Sequence, residues 1–243
     1  VLALATVIGA DLLAQGHVSP LGAIVVALGV GALAGAVNGA LVTWLNIPPV
    51  IATLGMMTFA RGAALQYTQG SPITGFSEQG EGIRFLGSAE ILGLPVPIFA
   101  AAAVYLLAYI LLTHVPFGRF IYAMGNNDEA AFLSGLPVRR IKMFVYIASG
   151  ALAALAGIIL MGRLDSAQPT AGALSEFDAI AAVVVGGTSF NGGEGSIWGT
   201  LIGVLLIAVL NNGLNLLQVP SFYQDIASGV VIALALLIYR VIR

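Results

Sequence analysis

Charged side chains are scarce in this sequence, so each one inside an apolar run is a candidate for chemistry. Arg61 stands well inside the segment 50–66, and Asp11 lies late in the segment 1–14. Arg61 has two readings: it lines a polar path, or its apolar stem lies along the surroundings while the guanidinium reaches an interface. Asp11, beside Gln15 and His17, reads as an interfacial group. Asn38, Asn211, Asn212 and Asn215 are amides within apolar segments; they either bridge helices or face a polar channel. Enzyme signatures are missing: there is no HExxH, no GxSxG and no paired histidine, and His17 and His114 stand alone. The absence of cysteine removes disulfides, zinc clusters, iron–sulfur sites and thiol catalysis from these 243 residues. Asp165, Glu176 and Asp178 read as a solvated loop rather than a paired acid site. Gly186 to Gly195 is glycine-rich but lacks the lysine of a phosphate-binding loop, and Glu194 would repel a phosphate. It reads as a flexible turn between two helices.

The densest charge cluster is residues 125–142, GNNDEAAFLSGLPVRRIK. Asn127 is a good helix N-cap, and Asp128 and Glu129 then face the positive end of the helix dipole. Ala130, Ala131, Phe132 and Leu133 continue the turn, Gly135 suits the left-handed position past the end, and Pro137 stops it. The spacing predicts a helix over 128–134, about 10 Å long at 1.5 Å per residue. So short a helix does not hold in water by itself and needs a partner. The partner is either another protein or the rest of this chain. Arg139, Arg140 and Lys142 anchor the next apolar segment at lipid headgroups.

The elements that carry these groups are set by composition. The sequence is 59% hydrophobic and 8% charged, with a mean hydropathy of +1.00. A soluble surface cannot be built from so few charges, because soluble domains carry about 25%. The fold class is all-α, a polytopic transmembrane helix bundle; the apolar runs are long and continuous, unlike the alternating strands of a barrel. The net charge of −2 is too small and diffuse for nucleic-acid binding. Apolar segments fall near 1–14, 21–45, 50–66, 95–115, 141–162, 177–190, 197–217 and 226–240. Segment 177–190, with Gly186 and Gly187 toward its end, is expected to be tilted, broken or partly re-entrant. No basic region precedes the first segment, which reads as a helix cut within its span.

Loop 116–142 holds Arg119, Arg139, Arg140 and Lys142, four of the nine bases, and the tail holds Arg240 and Arg243. Loop 67–94 holds Arg84 against Glu78, Glu81 and Glu90. The positive-inside rule therefore places 116–142 and the C-terminus in the cytoplasm and 67–94 outside. Gly31, Gly35 and Gly39 form one glycine stripe, and Gly195, Gly199 and Gly203 another. Lipid is as apolar as Leu, so such stripes drive helix association by close backbone approach. Each stripe leads into a Pro-containing loop, Ile47-Pro48-Pro49-Val50 or Val219-Pro220-Ser221-Phe222, a faint internal repeat.

Glu129-Ala130-Ala131 with Gly135 resembles the EAA loop of ABC importer permeases. Leu133-Ser134-Gly135, RLDSAQPTAG at 163–172, DAIAAVVVGGTS at 178–189 and LNNGLNLL at 210–217 resemble the ribose-type sugar ABC permeases. Ile51-Ala-Thr-Leu54 and Arg61-Gly62 with Gly70-Ser-Pro72 fit the same family. The resemblance implies one permease domain over 1–243, similar in fold to vitamin B12-type importers, with about eight of about ten spans present and the first spans missing. It implies a bacterial inner-membrane location and import of a monosaccharide by alternating access, with branched-chain amino acid or nucleoside permeases as nearest relatives. A stand-alone secondary transporter is the competing class. Implied partners are a second permease subunit, alike or different, two cytoplasmic ATPase subunits and a periplasmic or extracellular sugar-binding protein. The chain itself is expected to hold no cofactor, since ATP and Mg belong to the ATPase. Residues 125–136 become a cytoplasmic coupling loop, with Asp128, Glu129, Ala130, Ala131, Phe132, Leu133, Ser134 and Gly135 as its ATPase contact. Glu78, Glu81, Arg84, Arg163 and Asp165 become docking charges for the binding protein. Arg61, Asn38, Asn211 and Asn212 become candidates for the translocation path.

Overall fold

The computed structural model describes residues 1–75, 80–189, 192–220, 223, 224, 226, 229 and 230. In chain order its helices are α1 (Leu2–Ala14), α2 (Pro20–Thr43), α3 (Pro49–Thr68), α4 (Glu81–Ser88), α5 (Val96–Tyr109), α6 (Pro116–Asn126), α7 (Asp128–Leu133), α8 (Val138–Leu164), α9 (Ser175–Val185) and α10 (Ile197–Leu216). A two-residue antiparallel pair, β1 (Glu90–Ile91) with β2 (Leu94–Pro95), precedes α5, and a π-helical turn at Ile110–His114 extends α5. Local chemistry fixes several starts. Ser19 caps α2 by accepting the Gly22 N–H at 3.2 Å, with Pro20 at the first helical position. Ser196 caps α10 by accepting the Gly199 N–H at 3.4 Å.

Among the described residues four helices are long and apolar enough to cross a membrane: Pro20–Thr43, Val96–His114, Val138–Leu164 and Ile197–Leu216. The chain is thus an all-α, multi-pass membrane protein. Eight apolar segments yield only four such helices for identifiable reasons. Helices α1 and α9 have 13 and 11 residues, where a span needs about 20. Helix α9 is thus about 17 Å long against a hydrocarbon core of about 30 Å. Helix α3 has the length, at 20 residues, but carries Arg61, Gln66 and three threonines and is too polar to join the four. Most of segment 226–240, with Arg240 and Arg243, lies outside the described residues. The expected loops 67–94 and 116–142 are also more ordered than read: the first contains α4 and the β pair, the second contains α6.

The chain divides into two compact units. Unit 1, Val1–Val104 with Pro137–Gly172, is built on α2 against α8. The first glycine stripe forms this seam. A Cβ at Gly31 would strike the Gly150 carbonyl, one at Gly35 the Tyr146 carbonyl, and one at Gly39 would lie 2.7 Å from the Met143 sulfur. Gly150 answers from α8, where a Cβ would strike the Gly31 carbonyl. Helix α1 packs on both α2 and α8 and contributes the fully buried Val7 and Leu13 to the core, beside Ile158. Outward faces stay apolar, with Leu21, Val25 and Leu33 all exposed, as a lipid-facing or partner-facing surface requires.

Unit 2, Tyr105–Leu136 with Ala173–Arg243, holds the π turn, α6, α7, α9 and α10. The second stripe pairs α10 with α9: a Cβ at Gly199 would strike the Gly186 carbonyl, and one at Gly203 the Ala182 carbonyl. Both stripes therefore serve the same end, allowing one backbone to lie on another.

Candidate functional site

The charge cluster at 125–136 folds as its local signals dictate. Asn127 is extended, and its Oδ1 accepts the Ala130 N–H at 3.0 Å. Asp128 and Glu129 form the first turn, where the helix dipole favours them. The end is a Schellman motif: Gly135, at φ +83°, donates to the Phe132 carbonyl at 2.9 Å, and Leu136 donates to the Ala131 carbonyl at 3.1 Å. Ser134 is the C-cap rather than the last helical residue, and its Oγ donates to the Ala130 carbonyl at 2.8 Å. The helix therefore ends at Leu133, one residue short of the predicted 128–134. Ala131 is buried, whereas Phe132 is 65% and Leu133 78% exposed. A helix of six residues thus turns two large apolar side chains outward, and its main packing partner is α6. Replacing Asn127 by Ala should weaken the helix by about 1 kcal/mol and speed exchange of the Ala130 and Ala131 amides about fivefold, as read by hydrogen-exchange mass spectrometry.

Helix α6 escaped the sequence reading although its signal is present. Pro116 occupies the first helical position, and Phe117, Phe120, Ile121 and Met124 follow the i, i+3, i+4, i+7 pattern. Arg119 within it, counted with the basic loop, masked it.

Four of the five expected docking charges lie on adjoining elements of unit 1. Glu81 and Arg84 are exposed on α4, Arg163 is exposed in the last turn of α8, and Asp165 follows as its left-handed C-cap at φ +49°. Helix α4 sits on the end of α8 by backbone contact: a Cβ at Gly162 would strike the Ile83 carbonyl, and one at Gly87 the Gly162–Arg163 backbone. Ser88 Oγ donates to the Gly162 carbonyl at 2.8 Å. The next loop is tied down by reciprocal bonds, Ile73 N–H to Ala167 carbonyl at 3.0 Å and Ala167 N–H to Ile73 carbonyl at 2.9 Å. Asp165 is half-buried and its Oδ1 has no hydrogen-bond partner among the described residues. Glu78, the fifth, lies outside the described residues.

The expected path residues are divided between the two units. Arg61, half-buried on α3, and Asn38, on α2, belong to unit 1; Asn211 and Asn212, on α10, belong to unit 2. Asn38 is 8% exposed in the glycine seam, and its Oδ1 has no partner among the described residues; the Asn211 Oδ1 has none among them either, and Asn212 is exposed. The bridging role for Asn38 and Asn211 is therefore not made through these oxygens. A buried acceptor left unpaired costs about 1–3 kcal/mol.

A family model described as branched-chain amino acid transport system / permease component matches residues 1–237. The chain is similar to the ribose import permease protein of Bacillus subtilis (strain 168), 49% identical over 99% of this chain and 74% of that protein. It is 51% identical to the ribose import permease protein of Escherichia coli (strain K12) over 91% of this chain and 70% of that one. It is 40% identical to the D-allose transport system permease protein of the same strain over 100% of this chain and 73% of the relative. No solved structure matches it.

Proposed function

The chain belongs to the branched-chain amino acid transport system / permease component family, and from that membership we propose that it is the membrane permease subunit of a binding-protein-dependent ABC importer for a monosaccharide. One observation carries the substrate class: about half of its residues are identical to those of ribose import permeases over nearly its whole length. Ribose and related pentoses or hexoses such as xylose and galactose are the substrates this reading names. The family's own name favours a second reading, a branched-chain amino acid as cargo. Competition by unlabelled leucine against labelled ribose in uptake separates the two.

The working complex pairs two permease subunits, alike or different, with two cytoplasmic ATPases that hold ATP and Mg, and with a sugar-binding protein outside. The bases around 116–142 support placing α7 and the C-terminus on the cytoplasmic side of a bacterial inner membrane. Helix α7, capped at both ends yet turning Phe132 and Leu133 outward, fits the ATPase contact. ATP binding closes the ATPase pair, displaces α7 and rocks the permease between outward and inward access. In the complete protein this reading gives about ten spans and a vitamin B12-importer-like fold.

The test is reconstitution of the full-length permease with its ATPase and binding protein in proteoliposomes. Labelled ribose should accumulate only with ATP supplied on the ATPase side. Accumulation without any nucleotide-binding subunit would instead identify a stand-alone transporter. Docking has its own test. Reversing both Glu78 and Glu81 to Lys should change the association rate of the binding protein about tenfold at low salt, and the difference should fade as salt rises. Stopped-flow binding with an unchanged rate at every salt concentration removes these residues from the docking surface.

A further inference from the structure

Residues 192–195 meet α6 in a contact that the permease reading leaves without a role. At the last turn of α6, a Cβ on Gly125 would strike the Gly193 nitrogen. From the other side, a Cβ on Gly192 would lie 2.6 Å from the Gly125 carbonyl oxygen, and one on Gly193 2.5 Å from Asn126 Oδ1. Gly192 and Gly193 hold φ of +87° and +75°, conformations that glycine adopts without steric penalty. One turn earlier on α6, the Tyr122 hydroxyl donates to the Gly195 carbonyl at 3.2 Å. Between Gly125 and residues 192–193 main chain rests on main chain, with the Asn126 side chain and the Tyr122 tether beside it, so little is free to absorb a displacement. The turn expected to be merely flexible is a packed contact.

Both sides of this contact lead to elements that are themselves fixed. Upstream, a single residue, Asn127, separates α6 from α7, and the two helices pack together. Downstream, Gly195 precedes Ser196, the N-cap of α10. Helix α10 is in turn joined to α9 by the Gly199–Gly186 and Gly203–Ala182 contacts. A cavity of about 440 Å³, lined in part by Tyr109, Tyr122, Ser196 and Trp198, borders the tether and gives Tyr122 room to move if the bond breaks.

We propose that the Tyr122–Gly195 hydrogen bond and the Gly125 contact with Gly192 and Gly193 form the positioning link through which a displacement of α7 moves the α9–α10 pair. The link rests on the permease reading. It makes α6 a lever rather than a passive interfacial helix. The α9–α10 pair then becomes the first part of the translocating bundle to receive the stroke.

The experiment uses the full-length complex, with its ATPase and binding protein, in proteoliposomes. Tyr122→Phe removes the tether without changing volume; Gly125→Ala inserts one carbon into the contact. Each variant should still copurify with the ATPase, and sugar moved per ATP hydrolysed should fall about two- to thirtyfold, the range for residues that carry coupling. Spin labels at Arg119→Cys on α6 and Val209→Cys on α10, both exposed, report the geometry directly. The label distance should stay narrow and equal in nucleotide-free and ATP-trapped wild type, and broaden in both variants. A purely structural role would lower thermal stability and assembly without broadening the distribution. Unchanged sugar per ATP in Tyr122→Phe, or a wild-type label distance that differs between the two states, overturns the link. Uptake by the wild-type complex that needs no ATP removes the permease reading and the link together; ATP-driven uptake with unaffected variants removes the link alone.

Discussion

Replacing both Phe132 and Leu133 with Asp should abolish ATP-driven uptake while leaving the permease folded. Both side chains are mostly exposed, at 65% and 78%, and exposed substitutions outside special sites shift stability by about 0.5 kcal/mol or less. The cost falls on binding. A large apolar side chain at the centre of an interface contributes about 2 kcal/mol or more. Losing two such anchors weakens association about a thousandfold. The added carboxylates also sit at the negative end of the α7 dipole, where each costs about 0.3–1 kcal/mol. The variant permease should therefore elute from detergent as a folded species without its ATPase. Copurification at wild-type stoichiometry, with normal uptake, would show that α7 is not the ATPase contact. Phe132→Leu is the milder companion and should retain most of the affinity.

The second large effect lies in the α2–α8 seam. Gly35→Leu should lower the thermal midpoint of the purified protein by about 2–12 °C, because overpacking costs about 1–3 kcal/mol and each kcal/mol moves a chain of this size by about 2–4 °C. A Cβ at Gly35 would strike the Tyr146 carbonyl, so the new side chain cannot be met by a rotamer change. The backbones must separate, and the neighbouring Gly31–Gly150 contact separates with them. Gly29→Leu is the control on the same helix: Gly29 is exposed, and a Cβ there meets nothing within 4 Å among the described residues. That substitution should be neutral or slightly stabilising, since Leu exceeds Gly in helix propensity by about 0.8 kcal/mol. Equal melting shifts in the two variants would mean that the seam is not what holds unit 1 together.

These two regions also mark how far sequence carries. Helix α7 was legible because every signal for it is local: Asn127, the two acids, Gly135 and Pro137 act within a dozen residues of one another. The spacing of Gly31, Gly35 and Gly39 likewise announced a packing face. It gave no hint that the partner would be Met143, Tyr146 and Gly150, because nothing near either segment encodes the other. Helix α4 went unread because two turns between glycines leave too short a period, yet Gly87 and Gly162 hold it on α8. Helix α6 had a full apolar pattern, but Arg119 within it and Asp128 and Glu129 just beyond it suggested a loop. Polarity in α3 and the shortness of α1 and α9 reduced the number of helices fit to span, a distinction that apolar runs alone blur. For the translocation path, buried amides are chosen by residue type, whereas a path is defined by what faces it. Asn38 and Arg61 fall in one unit and Asn211 and Asn212 in the other, and nothing local to these residues foretold that division.

The seam between α2 and α8 also sets a clock for biogenesis. Gly31 and Gly150 are 119 residues apart in the chain. At about 5–20 residues per second, the ribosome needs about 6–24 s to make the second after the first. For that interval α2 has entered the bilayer with its glycine face against lipid, since the surface it is shaped for has not been synthesised. Glycine and alanine tolerate the wait, being small and uncharged. Thr43 on that face donates its hydroxyl to the Gly39 carbonyl of the same helix, whereas Asn38 cannot satisfy its amide so, and it is the point at which a nascent α2 most needs temporary shelter.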